Sequence, residues 1–200
     1  MHGSYVSPQA TLGTDVRIGR FCIVEEGVVL ADGVVLEDYA MVQAGARIGA
    51  RTKIGTYTKI GRDVRIGADC SFTSFCEIRD RCDLGDRVLM GSRGTLSAGT
   101  VVEDEVEMKN AFVVTDTPNL QKNDEKSVGR LKRGSRFGAS VVIMPSVTIG
   151  ENAEVGACSQ VRKDVPDNEV WFGTPAKYYR DVDGTAPAAA APVRKLALAR

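Results

Sequence analysis

Histidine is nearly missing: one occurs in 200 residues, and it stands at position 2. Past the N-terminus no imidazole is available as a proton carrier or a metal ligand. No apolar run approaches the roughly 20 residues that a membrane-spanning helix needs. Neither sign of charge is in excess, with 26 basic and 26 acidic residues. That balance leaves no basic face for nucleic acid or an anionic membrane. The five cysteines are an odd number, scattered through the chain, which argues against a disulfide framework. The lead-in Met1-His2-Gly3-Ser4-Tyr5 has no signal-peptide character, so a cytoplasmic protein is expected. His2 itself reads as exposed and idle, and the length suits one domain.

What is present is a period. From Val6 to Val114 every sixth residue is large and apolar, among them Leu12, Ile18, Leu36, Ile54, Phe72, Met90 and Met108. A second series lies two residues earlier and is mostly small or β-branched, for example Ala10, Val16, Cys22, Thr52 and Val64. Residues two apart on a strand share a face, so the members of each pair point inward together. A period of six scatters apolar residues around a 3.6-residue helix, which rules that element out. Glycine follows the large residue at 13, 19, 49, 55, 61, 67, 85 and 91 and is read as a turn needing φ > 0. Short strand, turn, short strand every six residues predicts an all-β chain wound as a parallel β-helix. Cys70, Cys76 and Cys82 fall at the small inward position. They are expected as reduced core residues; a shared metal is the alternative, although a structural thiolate site usually takes four ligands.

The period breaks at Thr115. A polar stretch over 115–130 follows, and the repeat resumes in a shifted frame at Leu131, Phe137, Ile143, Ile149, Val155 and Val161. Val114 and Leu131 are 17 positions apart where one repeat needs six, so about 11 residues leave the coil as a loop. Residues 166–180 are expected to cap the open end, with Trp171 and Phe172 as cover. The single domain is placed at 1–183, followed by an Ala/Pro-rich low-complexity tail over 184–200.

The repeat resembles the left-handed parallel β-helix of the hexapeptide-repeat acyltransferases, over about residues 6 to 180. The resemblance implies three repeats per triangular coil, left-handed crossovers and a homotrimer. The most specific local match is Val161-Arg162-Lys163-Asp164-Val165-Pro166 followed by Gly173-Thr174-Pro175-Ala176-Lys177-Tyr178-Tyr179-Arg180. It is similar to the C-terminal signature that holds coenzyme A between neighbouring subunits. By that likeness Lys163, Lys177 and Arg180 would meet the phosphates and Arg162 would line the same groove. Ala139 and Ala157 would offer backbone groups to the pantetheine arm. Fixed cations suit a ligand with several phosphates.

Hydroxyl-acylating members of the family use a histidine base, because an alcohol must lose its proton during attack. The carbonic anhydrases of this fold use three histidines on zinc. A neutral primary amine needs neither. The resemblance therefore points to the nucleotide-sugar N-acetyltransferases, with acetyl-CoA as co-substrate, an amino-sugar acceptor and no metal. Val113-Val114-Thr115-Asp116 stands where one branch reads Val-Phe-Thr-Asn. Asp116 is then the candidate catalytic residue and Thr115 a substrate neighbour. Glu107-Met108-Lys109-Asn110 resembles a second branch in which a lysine and an asparagine flank the sugar. Two alternatives stay open: a non-catalytic assembly module, and a transferase with a different acyl donor or acceptor.

Overall fold

The computed structural model describes residues 3–118 and 127–183. His2 and the tail over 184–200 lie outside the described residues, as do positions 119–126 of the loop. Every repeat gives one two-residue strand, beginning β1 (Tyr5–Val6), β2 (Thr11–Leu12) and β3 (Arg17–Ile18), and continuing to β25 (Gln160–Val161). From β1 to β16 each strand pairs in parallel with the strand 18 residues on, as Lys59 with Glu77 and Ile60 with Ile78, and across the loop the spacing widens to 29, as Val101 with Arg130. Three sheets of nine, eight and ten strands result; they are called faces A, B and C after β1, β2 and β3. The chain turns from A to B, B to C and C to A, which defines edges AB, BC and CA.

Two residues per strand suffice because each coil's backbone groups bond to the next coil, which lies about 4.8 Å away. In most strands the first residue faces outward and the second is buried, as with Lys53 and Ile54. The small residue two earlier is buried as well, so one coil's core is three large-and-small pairs. The inward position has a polar use that periodicity does not show. Thr52 and Thr58 donate Oγ1 to the carbonyls of Gly67 and Thr73 at 2.9 and 2.8 Å. Cys70, Cys76 and Cys82 make the same bond with sulfur, to Gly85, Gly91 and Ser97 at 3.2–3.3 Å. These thiols are buried donors on turn carbonyls, and burial pushes Cys70 and Cys82 up to about 11.

The glycine reading needs correction. Gly13, Gly49, Gly67 and the others directly after the large residue do not have positive φ. Their reason is space: a Cβ on Gly49 would lie 2.4 Å from the carbonyl carbon of Gly67 in the next coil. The left-handed residue comes two positions later and takes many side chains, including Asp15, Phe21, Tyr39, Arg51 and Arg87. Next to it, an Asp or Asn side chain often caps the coil below. Asp32, Asp38, Asp80 and Asp86 accept the N–H of Thr14, Arg20, Arg62 and Ala68 at 2.7–2.9 Å.

The loop leaves after β19 (Val113–Val114) and returns before β20 (Arg130–Leu131), which re-enters face B in register with Val101 and Val102. Ser127 N–H donates to the Asp116 carbonyl at 3.0 Å and closes the neck. At the far end β26 (Glu169–Gly173) and β27 (Ala176–Asp181) form an antiparallel hairpin that extends face C. Trp171 packs against the core as expected. Phe172 does not cap it: the ring is 58% exposed and lies on the outer wall over Gly156, where a Cβ would come within 2.5 Å of it.

Candidate functional site

Each hexad's turn fixes which edge a residue occupies, so register alone sorts the candidate residues. Thr115 and Asp116 follow a face-A strand and sit on edge AB. Arg162 and Lys163 follow β25, also on face A, and sit on edge AB two coils higher. Lys109, Asn110, Ala139 and Ala157 all follow face-C strands and line edge CA. The candidate set is thus split between the two edges that flank face A.

On the AB side, Arg162, Lys163 and Lys177 come together with Trp171, Pro175, Ala176 and Tyr178 around a cleft of about 500 Å³. Among the described residues none of these three cations has a carboxylate partner. The wall opposite them is aromatic and held in place. Trp171 Nε1–H donates to Glu169 at 2.7 Å, and the Tyr178 hydroxyl donates to Asp181 at 2.9 Å. Partial desolvation, then that bond, raise the Tyr178 phenol above its ordinary value, so it stays neutral at physiological pH. Three exposed cations beside a neutral aromatic wall suit a phosphorylated ligand with a flat ring. Trp171 was expected only as cap cover and Tyr178 was not a site candidate, although the only tryptophan of the chain lies between the two parts of the matched signature.

Asp116 is 8% exposed, at the neck of the loop. Its Oδ1 accepts a bond from Thr117 at 3.0 Å, and Arg79 approaches Oδ2 at 3.9 Å. Arg79 belongs to the same column of edge AB, 36 residues before Thr115, so counting in eighteens would have found it. Thr115 is half-buried and donates Oγ1 to the Ile143 carbonyl at 2.9 Å.

On the CA side, Ala139 and Ala157 are stacked one coil apart, with Cys158 N–H donating to the Ala139 carbonyl at 2.9 Å. Ala157 has no side-chain acceptor, so the Ala139 N–H lacks the carboxylate cap that Asp86 gives Ala68. Asn110 does supply such a cap: its Oδ1 accepts the Ser92 N–H at 3.1 Å. Lys109 is ion-paired with Glu107. Arg180 stands apart from the cleft cations. Its guanidinium donates to the carbonyls of Asp181 and Val182 at 2.8 and 3.2 Å and lies 3.9 Å from Glu154. Alternation does not separate them: β27 is bulged, and Lys177 pairs with Phe172 and Arg180 with Val170, two residues apart on β26, so both lie on one side of the hairpin and Arg180 differs by being engaged at its own strand end.

Three triangular faces, hexad register and buried paired columns define a hexapeptide-repeat, left-handed parallel β-helix. Residues 133–159 match the family described as "Hexapeptide repeat of succinyl-transferase". The fold matches that of LpxA, a UDP-N-acetylglucosamine acyltransferase from Bacteroides fragilis, with a TM-score of 0.70. That match is 16% identical and covers 90% of this chain and 73% of LpxA. By sequence, the galactoside O-acetyltransferase of Lactococcus lactis is 50% identical over 47 residues, 24% of this chain and 23% of the relative. A Staphylococcus aureus relative is 35% identical over 83 residues, 40% of this chain and 42% of its own length. The chain thus spans under half the length of these curated relatives.

Proposed function

We propose that the protein is an acetyl-CoA-dependent N-acetyltransferase acting on the amine of a nucleotide-linked amino sugar, by its likeness to the nucleotide-sugar branch. The observation that carries the reading is the cleft where Arg162, Lys163 and Lys177 converge, without carboxylate partners among the described residues, on the same edge as Asp116. Two coils separate the cations from Asp116, roughly 10 Å of helix axis. Phosphates held at the cleft would leave the pantetheine arm to run along the edge toward Asp116. The sequence similarity to acetyltransferases supports the acyl donor.

The absence of histidine beyond position 2 favours an amine over a hydroxyl acceptor. In the proposed reaction the neutral amine attacks the thioester carbonyl, forming the C–N bond and an oxyanion. The Ala139 N–H stabilises that oxyanion. Collapse breaks the C–S bond and releases coenzyme A thiolate. The ammonium proton passes to Asp116 or water, and from there to the thiolate. Ala139 and Asp116 lie at opposite ends of a face-A repeat, whose six residues extend up to about 20 Å. Reacting groups must approach within roughly 3.5 Å. The site is therefore completed by two copies of the chain, edge AB of one against edge CA of the next, in a cytoplasmic homotrimer that uses no metal.

Isothermal titration with acetyl-CoA tests the donor. The Lys163→Ala/Lys177→Ala double variant is expected to abolish binding, and no binding by the unmodified protein removes the proposal. Asp116→Ala is expected to slow acetylation of an amino-sugar nucleotide at least tenfold with coenzyme binding retained. Unchanged turnover removes Asp116 from the mechanism and leaves the donor site standing.

A further inference from the structure

We infer that the recess where face A meets edge AB, just below Asp116, is a phosphate-binding subsite, with Arg62 and Arg79 as its cations and the diphosphate of the acceptor as its ligand. The recess holds about 300 Å³, the lower end of the range for small-ligand sites. Successive coils build its wall. Lys59 and Glu77 point outward from β10 (Lys59–Ile60) and β13 (Glu77–Ile78) on face A. Arg62, Arg79 and Asp80 sit in the turns that follow those strands. Ala98 forms the upper rim, and Asp116 is the residue 18 positions on, one coil higher.

Three cations and two carboxylates line the recess, and both carboxylates are already engaged. Glu77 lies 3.9 Å from the Lys59 ammonium, and Asp80 Oδ1 accepts the backbone N–H of Arg62 at 2.9 Å. Among the described residues, neither the Arg62 nor the Arg79 guanidinium makes a hydrogen bond, and both side chains are exposed. They rise from neighbouring coils, about 4.8 Å apart along the axis. Two planar forks at that spacing grip one diphosphate from two sides, each with a pair of N–H donors. An apolar ligand would leave both forks unused, and a single carboxylate would occupy only one.

Arg79 ties the recess to the proposed chemistry. Its side chain reaches across the intervening turn, Ser97-Ala98-Gly99, whose residues are small enough to let it pass. The guanidinium then lies 3.9 Å from Asp116 Oδ2, beyond hydrogen-bonding range. Five N–H groups in one plane allow an arginine to serve a phosphate on one side and a carboxylate on the other. A phosphate oxygen about 2.8 Å beyond that guanidinium would stand roughly 7–9 Å from Asp116, with space between them for one sugar ring. Arg79 is thus a binding residue for the acceptor and a positioning residue for Asp116, whereas Arg62 only binds. The identity of the ligand rests on the proposed function; the anion site rests on the recess alone.

The probe is inorganic pyrophosphate, titrated calorimetrically into the full chain carrying Lys163→Ala/Lys177→Ala, so that the coenzyme cleft has lost both lysines. One site per chain is expected. Adding Arg62→Gln or Arg79→Gln should weaken it at least tenfold with an unchanged far-UV circular dichroism spectrum. No binding, or binding that neither substitution weakens, overturns the subsite. In acetylation by the unmodified protein, pyrophosphate should raise the KM for an amino-sugar nucleotide and leave kcat alone. A fall in kcat at saturating acceptor would mark a separate effector and overturn the assignment to the acceptor. Arg62→Gln alone should raise that KM at least tenfold at constant kcat, and Arg79→Gln should also lower kcat about tenfold. Equal kcat in the two variants removes the positioning role. Failure to acetylate amino-sugar nucleotides, with pyrophosphate still bound through Arg62, defeats the proposed function and spares the anion site.

Discussion

Replacing Gly49 by alanine puts one methyl group between two coils whose spacing is fixed by backbone bonds. The added Cβ would stand 2.4 Å from the Gly67 carbonyl carbon, 2.5 Å from its oxygen and 2.7 Å from the Ala68 nitrogen. All three are backbone atoms, so no side chain can swing aside. Restoring an ordinary carbon contact of about 3.5 Å requires the coils to part locally by about 1 Å. The bonds from Arg47 N–H to Val64 and from Gly49 N–H to Ile66, both 2.8 Å, would then exceed hydrogen-bonding range. Two lost backbone bonds at about 1 kcal/mol each, plus repacking strain of about 1–3 kcal/mol, give about 3–5 kcal/mol. At 2–4 °C per kcal/mol for a chain of this size, Tm should fall by about 6–20 °C. Gly27 is the contrasting site. Its φ is +68° and the nearest atom to an added Cβ is 3.7 Å away, so Gly27→Asn should move Tm by less than about 2 °C. Scanning calorimetry on both variants decides it. Equal effects, or a larger loss at Gly27, would refute the steric account and restore a purely conformational role for these glycines.

Other outcomes are expected of the native protein. Ellman's reagent at pH 8 should label about one thiol per chain rapidly, at exposed Cys158, and all five only after unfolding, since the other four are buried. Fast labelling of two or more would contradict the carbonyl-bonded thiols. Lys177→Ala should weaken acetyl-CoA at least tenfold and Arg180→Ala less than threefold by titration, because Arg180 does not line the cleft and is engaged by the carbonyls of Asp181 and Val182; the reverse ranking would place the phosphates elsewhere. Acid should destabilise the fold. Arg20 holds Asp38, Arg51 holds Asp69 and Lys53 holds Glu37 below the ordinary carboxylate range, and backbone N–H groups do the same for Asp32 and Asp167. Because the folded pKa values are the lower ones, this stabilisation is complete above about pH 5 and disappears as pH falls through them. A Tm that stays level down to pH 2 would count against these contacts.

Residue order alone determined the winding, the core columns and the place where the loop departs. A six-residue period admits one side-chain arrangement on a strand and none on a helix, and the shift between Val114 and Leu131 can be read by counting. The three cations of the cleft were equally legible, because Arg162, Lys163 and Lys177 lie in one signature. Tertiary structure decided what depends on distance across coils. Gly49 is required by the backbone of Gly67, 18 residues away, rather than by its own φ. Arg62 and Arg79 come to line one recess only when coils stack. Register around a triangle puts Asp116 and Ala139 on different edges, and no local pattern carries that, because an edge exists only once three strands have closed a coil.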